Sequence, residues 1–468
     1  MSTSRPLLFT GVVFAVALLA LWQGFTSLSL DRLVIGVLAV VIFGLVFVRT
    51  EFGLYVLIFS MLLSPEFTFG AGLAERRAAV IRIEDILLVI IALAWLAKTA
   101  VNKEVGLVVK TPLNKPIAVY IASQLIATLF GMVTGTVKTT TGLLYVVKYV
   151  EYFIVYYMVV NNLEDRAQAW RLAGAAFLTA AIVSINGIAQ IPQGRRVSAP
   201  FEGDLGEPNT FGGYLLLMIA VAVGLAFQTK SLRQRAIYTG LIGLMFLPFL
   251  YTLSRASYLA AIPVALMLFL LFPRQRVVLG VIAVVGIVVA VVAPPEVVQK
   301  RVSYTFQGHA GRDNSAIASR FDPSTVERLE SYENAIAAWL ERPLLGRGVT
   351  GFRFVDAQYP RLLVESGVVG FAAFAWLIGA LVAAVASVYR HADTPLIRGL
   401  AGGFLAGIIG TLVHGIGSNT FIIIRIMEPF WLLAAIVVAM PHLAEQVSPR
   451  ASFTRPASWP SPVIPVAR

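Results

Sequence analysis

Four groups of residues have the types and spacing to do chemistry. The first is Arg195–Arg196, followed by Glu202, Asp204, Glu207, Pro208 and Asn209. Guanidinium forks match phosphate oxygens bidentately. The alternative is that they snorkel and pair with the nearby carboxylates. The second is Ser254-Arg255, within Tyr251-Thr-Leu-Ser-Arg-Ala-Ser257, at a tight turn between two apolar runs. A charge there is costly unless it faces a cavity or a partner, or anchors the turn at the interface. The third runs from Gly346-Arg347-Gly348 through Asp356-Ala-Gln-Tyr359 to Glu365-Ser-Gly367. Asp356 and Tyr359 are three apart and would share a helix face. A carboxylate near a dry, arginine-lined cleft can act as a general base; pairing with Arg353 or Arg361 is the structural alternative. The fourth is His414-Gly-Ile-Gly-Ser-Asn419, then Arg425 and Glu428. A lone histidine at a helix end, such as His414, is more often structural than catalytic.

The elements that must carry these groups are membrane helices. Of 468 residues, 58% are hydrophobic and 13% charged, against roughly half and a quarter in soluble chains. The excess falls in runs long enough to span a bilayer, which a self-satisfied α-helix can do. The pattern predicts an all-α polytopic membrane protein with about twelve to fourteen spans. They fall roughly at 7–28, 33–48, 53–64, 84–101, 116–134, 143–161, 169–191, 211–228, 235–253, 256–272, 277–293, 363–389, 397–414 and 421–441. The first reads as an uncleaved helix rather than a signal peptide. The third is short and closely followed by Pro65, so it is either a half-span or part of a bent second helix.

The net charge of +12 comes from basic residues punctuating short loops, not from a clustered basic face. That excludes nucleic acid as a partner and points to the positive-inside rule. Arg49, Lys98, Lys103, Lys110, Lys115, Arg166, Lys230, Arg233, Arg235, Arg274, Arg276 and Arg390 would then be cytoplasmic, as would both termini. The four chemical groups fall at the opposite ends of the helices. There is no cysteine, Walker motif, dinucleotide fingerprint or metal-ligand spacing, so no cofactor is expected.

One long outer segment interrupts the spans. The chain divides into transmembrane helices over 1–293, a periplasmic loop over 294–362, further spans over 363–441 and a disordered cytoplasmic tail over 442–468. In the loop, Ser324 followed by Glu327 forms a capping-box pattern, and Pro343 ends the helix. Val326, Leu329, Ile336 and Trp339 recur at helical spacing, which predicts a surface helix over 324–342.

Taken in order, several short motifs resemble the O-antigen ligase and polymerase superfamily. They are Arg82-Ile-Glu-Asp85; Leu144-Tyr-Val-Val-Lys-Tyr-Val-Glu151; Glu207-Pro-Asn-Thr-Phe211; Thr252-Leu-Ser-Arg255; Arg328 with Trp339 and Pro343-Leu-Leu-Gly-Arg-Gly348; Tyr359 through Glu365-Ser-Gly-Val-Val-Gly370; and Asn419-Thr-Phe421. The resemblance implies a metal-independent glycosyltransferase at the periplasmic face of the bacterial inner membrane. Its donor would be a glycan on undecaprenyl diphosphate. In the ligases the acceptor is lipid A–core; in the polymerases it is another lipid-linked repeat unit. The family's diphosphate-binding arginines map to Arg196 (or Arg195) and Arg255, with Arg347 a further candidate. The ligases carry a catalytic histidine where this chain has Asp356, and Asp-x-x-Tyr there is more like the polymerase and exopolysaccharide members.

The reading is therefore a polymerase of lipid-linked repeats, with a ligase as the alternative within the superfamily and a small-anion transporter as the alternative outside it. Asp356, Glu365 and Tyr359 are the catalytic candidates. Glu207, Asn209, His414 and Arg425 are the candidates for holding glycan. The expected partners are the polyprenyl-diphosphate donor, a glycan acceptor, membrane lipids and a chain-length regulator.

Overall fold

The computed structural model describes residues 40–67, 81–101, 109–202, 206–281 and 323–443. The spans expected at 7–28 and most of 33–48, the end of 277–293, much of the long outer loop and the C-terminal tail lie outside the described residues. Within them the chain is helical. The helices are α1 Thr50–Leu63, α2 Ile83–Val101, α3 Asn114–Val133, α4 Thr139–Asn162, α5 Arg166–Gln190, α6 Pro208–Gln228, α7 Leu232–Tyr251, α8 Arg255–Leu271, α9 Pro323–Leu340, α10 Gln358–His391, α11 Pro395–His414 and α12 Ile424–Ala439. A two-residue antiparallel pairing, β1 Glu66–Phe67 with β2 Ile81–Arg82, is the strand structure among the described residues.

Seven of these helices are long and apolar enough to cross a membrane: α3, α4, α5, α6, α10, α11 and α12. An eighth span is possible where α8 continues, after a bend of 108°, into Pro273–Val281. This is fewer than the twelve to fourteen expected. Part of the difference lies in the undescribed segments. The rest lies in three helices: α1 is only 14 residues long, a half-span, separated by extended Arg49 from the helical residues 40–48, and α2, with Glu84, Asp85 and Lys98, and α7, with Arg233 and Arg235, are not among the seven.

Local signals set the helix starts. Asp165, Ser231, Ser254 and Thr394 each cap a helix, their side-chain oxygens accepting from Gln168, Gln234, Ser257 and Ile397 main-chain N–H groups. Each such cap is worth about 1 kcal/mol. The core is built around α6 and α12. Every residue of α12 is buried, with Trp431 and Phe430 packed edge-on against Phe153, Tyr156 and Phe421. Helix α6 meets α11 along a seam of small residues. A Cβ on Gly403 would stand 2.6 Å from the Ala220 carbonyl oxygen, so only glycine allows this backbone approach.

Helix α10 is broken at Gly367, whose φ of 64° and ψ of −165° suit glycine alone. The break would orphan main-chain groups inside the bundle. The segment after α9 satisfies them: Arg347 N and Gly348 N donate to the carbonyls of Val364 and Glu365, while Val368 N and Val369 N donate to those of Pro343 and Leu344. The outer segment is thus stitched into the bundle at the kink.

Cross-element contacts sort the helix ends into two sets. At one end, Arg166 pairs with Asp393 at 2.6 Å and reaches Leu443 O, and Gln275 reaches Phe227 O. That end carries Lys98, Lys110, Lys115, Lys230, Arg235, Arg274 and Arg390. The other end carries all four chemical groups.

Candidate functional site

Helix α5 stops at Gln190, continues as the short 3-10 turn Ile191–Gln193, and closes on Gly194 at φ 69°. That left-handed glycine throws Arg195 and Arg196 off the helix end. Gln190 pins the returning strand from both sides, accepting from Ser198 N at 3.1 Å and donating to Ser198 O at 2.9 Å. The result is a cleft of about 740 Å³, lined by Asn186, Gln190, Gln193, Arg195, Arg196, Ser198, residues 199–202, Gly206 and Pro208.

The two arginines do different things. Arg195 is exposed and has no hydrogen-bond or ion-pair partner among the described residues. Arg196 is half-buried and ties three pieces together: Nε donates to Thr252 O at 2.9 Å, and Nη2 donates to Asn209 Oδ1 at 3.1 Å and Leu253 O at 3.4 Å. Leu253 is in the left-handed region, at φ 50°, which a leucine adopts only when its surroundings impose it. Arg196 therefore joins the cleft to the turn that carries Arg255. Ser254 caps α8 and Arg255 is its first residue, half-buried and already partnered. Gly212 lets this turn seat on α6; a Cβ there would meet Ser257 Oγ at 2.5 Å.

The start of α6 organises the next layer. Glu207 is exposed and accepts from Thr210 Oγ1 at 2.9 Å. His414, fully buried at the end of α11, has Nδ1 2.7 Å from Thr420 Oγ1. Its Nε2 faces the Asn209 main chain without reaching good hydrogen-bond geometry. Asn419 Nδ2 donates to Val355 O at 2.7 Å, next to Asp356. Polar groups thus line up from Arg196 and Asn209, across a gap at His414 Nε2, to His414, the 419–420 turn and the neighbour of Asp356.

Asp356 does not share a helix face with Tyr359, because α10 begins at Gln358 and Asp356 precedes it in a bend. Nor does it pair with Arg353 or Arg361. Its carboxylate accepts from Arg328 of α9 at 2.8 Å. Arg361 pairs instead with Glu365, at 3.2 Å and nearly buried, and the other Glu365 oxygen accepts from Thr350 N. Tyr359 Oη donates to Leu412 O at 2.5 Å. Arg347 reaches the Ala338 carbonyl and Glu341, and so closes the end of α9.

The buried face of α9 differs from the expected one. Ala335 and Ala338 pack on Val355, Ala357 and Val364, with Tyr332 and Trp339 flanking, while Leu329 is 39% exposed. Small alanines let the helix lie close to the 352–357 segment, which long side chains would hold off. Tyr332 donates to Ile416 O, and burial raises its phenol above the ordinary value.

Two further charge groups are buried. Arg425 has no exposed surface; it donates to Pro200 O at 2.9 Å, Ser64 O at 3.0 Å and Phe201 O at 3.3 Å, with Glu202 3.5 Å away. Beyond it, Lys148 bridges Asp85 and Glu151, the latter at 3.3 Å, beside buried Glu84 and Glu428. These unite the Arg82–Asp85, Lys148–Glu151 and Arg425–Glu428 motifs, which lie far apart in the chain.

Residues 240–375 match the family model of the O-antigen ligase domain. The match covers under a third of the chain and supports a likeness to the O-antigen ligase/polymerase superfamily over that stretch. Comparison with curated proteins gives no significant match. The O-antigen ligase domain spans Arg255, α9, Asp356 and Glu365, and so includes the kink and its stitching segment. Arg195, Arg196, Asn209, His414 and Arg425 lie outside it; of these, Arg196 reaches it directly, through the Thr252 and Leu253 carbonyls. Gln190 was not legible as part of the site. Its only signal is a glutamine at a helix end before proline.

Proposed function

We propose that the chain polymerises lipid-linked oligosaccharide repeats at the periplasmic face of the bacterial inner membrane. The observation that carries this reading is the roughly 740 Å³ cleft with an unpartnered Arg195 on its wall and Arg196 tied to the Arg255 turn. The volume suits a diphosphate and its first sugar. Both termini would lie in the cytoplasm, at the end rich in lysine and arginine.

The donor is a glycan on undecaprenyl diphosphate. Arg195 and Arg255 bind the diphosphate, and Arg196 fixes the distance between them. The acceptor hydroxyl oxygen attacks the anomeric carbon, and the bond from that carbon to the diphosphate oxygen breaks. The electron pair leaves with the diphosphate, where guanidinium groups stabilise the growing charge by a few kcal/mol each. The hydroxyl proton passes to Asp356, which Arg328 holds in place. Glu365, Tyr359 and Arg347 support the kinked start of α10, and Glu207 and Asn209 offer hydrogen bonds to sugar.

The ligase reading is favoured by the description of the matched family, the polymerase reading by Asp356 at the position of the ligases' histidine. A deletion strain separates them. Loss of long chains with one repeat still attached to the core supports a polymerase; loss of every attached repeat supports a ligase. Topology is tested with the cysteine-free chain itself. Cysteine at Gln193 should react with an impermeant reagent in intact cells and cysteine at Lys230 should not; the reverse pattern defeats the assignment.

A further inference from the structure

We propose that Arg425 is a positioning residue for the cleft: it fixes the strained turn at Phe201 and so sets the lining that this turn shares with Arg195 and Arg196. This rests on the functional reading above. The residue cannot itself touch substrate, because its side chain has no exposed surface. Its donors go to three carbonyls from two loops. Pro200 and Phe201 belong to the cleft wall, and Ser64 ends α1.

Two observations make this more than packing. The first is backbone strain. Phe201 stands at φ 62°, a conformation that a phenylalanine holds only when its surroundings over-determine it. Its carbonyl is one of those that Arg425 grips. Leu253, at φ 50°, has its carbonyl gripped by Arg196 in the same way. The strained turns at Phe201, in the cleft lining, and at Leu253, beside Arg255, are thus each held by one guanidinium. The second is the partner. Glu202, its side chain fully buried, faces Arg425 at 3.5 Å and accepts from Ala199 N and Glu207 N at 3.2 and 2.9 Å. The pair therefore ties the turn to both flanks of the loop that bears the arginines. Strain persists at a site when it serves the site's geometry.

Arg425→Lys keeps the charge beside Glu202, so it is expected to fold, but one ammonium cannot reproduce the planar fork across three carbonyls. Purified in detergent, it should give the wild-type melting curve and elution profile. Phe201 is exposed and is a chymotrypsin site. In wild type the held turn should resist cleavage after Phe201; in Arg425→Lys that cut should appear, mapped by mass spectrometry. Affinity for farnesyl diphosphate, a short polyprenyl diphosphate, should fall about tenfold. Glycosyl transfer should fall up to about a hundredfold, as expected when a distant change misplaces binding groups by an ångström. Glu202→Gln, which keeps both main-chain hydrogen bonds, should fold and show a smaller loss of the same kind.

Wild-type protection of Phe201 together with wild-type farnesyl diphosphate affinity in Arg425→Lys would overturn the proposal. A lower melting temperature with unchanged affinity would also overturn it, since that is what a purely structural residue would give. The proteolysis arm does not depend on the reaction. If wild type fails to bind farnesyl diphosphate yet the Phe201 cut appears in Arg425→Lys, the functional reading falls and the positioning role stands.

Discussion

The cleft and the buried acidic cluster use the same kinds of side chain to opposite ends. In the cleft, Arg195 faces an open polar volume without a partner. In the cluster, Lys148 lies between Asp85 and Glu151, with Glu84 and Glu428 fully buried nearby. Charges that face water keep their solvation and stay free to bind a ligand. Charges removed from water must satisfy one another, and each then depends on its partner. Under the proposed function, the first region would serve activity and the second folding, although both stand at the same end of the bundle.

The largest effect should come from the cluster. Lys148→Met leaves Asp85 and Glu151 without their ammonium, which should cost about 3–5 kcal/mol. The folded fraction in detergent should drop sharply, and a wild-type melting temperature would break the comparison. Asp356→Asn should cut turnover by about a hundredfold or more. Its pair with Arg328 is partly exposed and worth at most about 1 kcal/mol, so melting should barely move. Normal polysaccharide chains at wild-type protein level would remove the general-base role. Arg255→Lys keeps the charge but loses the fork, which should weaken transfer about tenfold at unchanged stability. Near-normal chains would make Arg255 an anchor only. The smallest effect belongs to Arg195→Lys, where an exposed point charge remains. Donor KM should rise only about threefold, sharpening the contrast with Arg255.

Helix positions were largely legible from hydrophobic runs: the expected 116–134 and 397–414 correspond to α3 at Asn114–Val133 and α11 at Pro395–His414. Long apolar stretches admit one backbone solution in a bilayer, so composition alone decides them. Residue types also marked the end of the bundle where the arginines and carboxylates of the four groups gather. The partners were not legible. Asp356 was weighed against Arg353 and Arg361 because these are near in sequence, yet its partner is Arg328, 28 residues away. Arg425 looked like a glycan-binding residue until its carbonyl partners from loops near residues 64 and 200 were seen. The face that α9 buries was misjudged because side-chain size, not hydrophobicity, decided how closely it could approach. What the sequence by itself determined is an all-α membrane bundle, with a stretch similar to the O-antigen ligase family and with arginines and carboxylates at one end. Only the tertiary structure decided which of those charges face the cleft and which spend their hydrogen bonds on the backbone. That division depends on contacts between segments far apart in the chain, whose geometry no local pattern encodes.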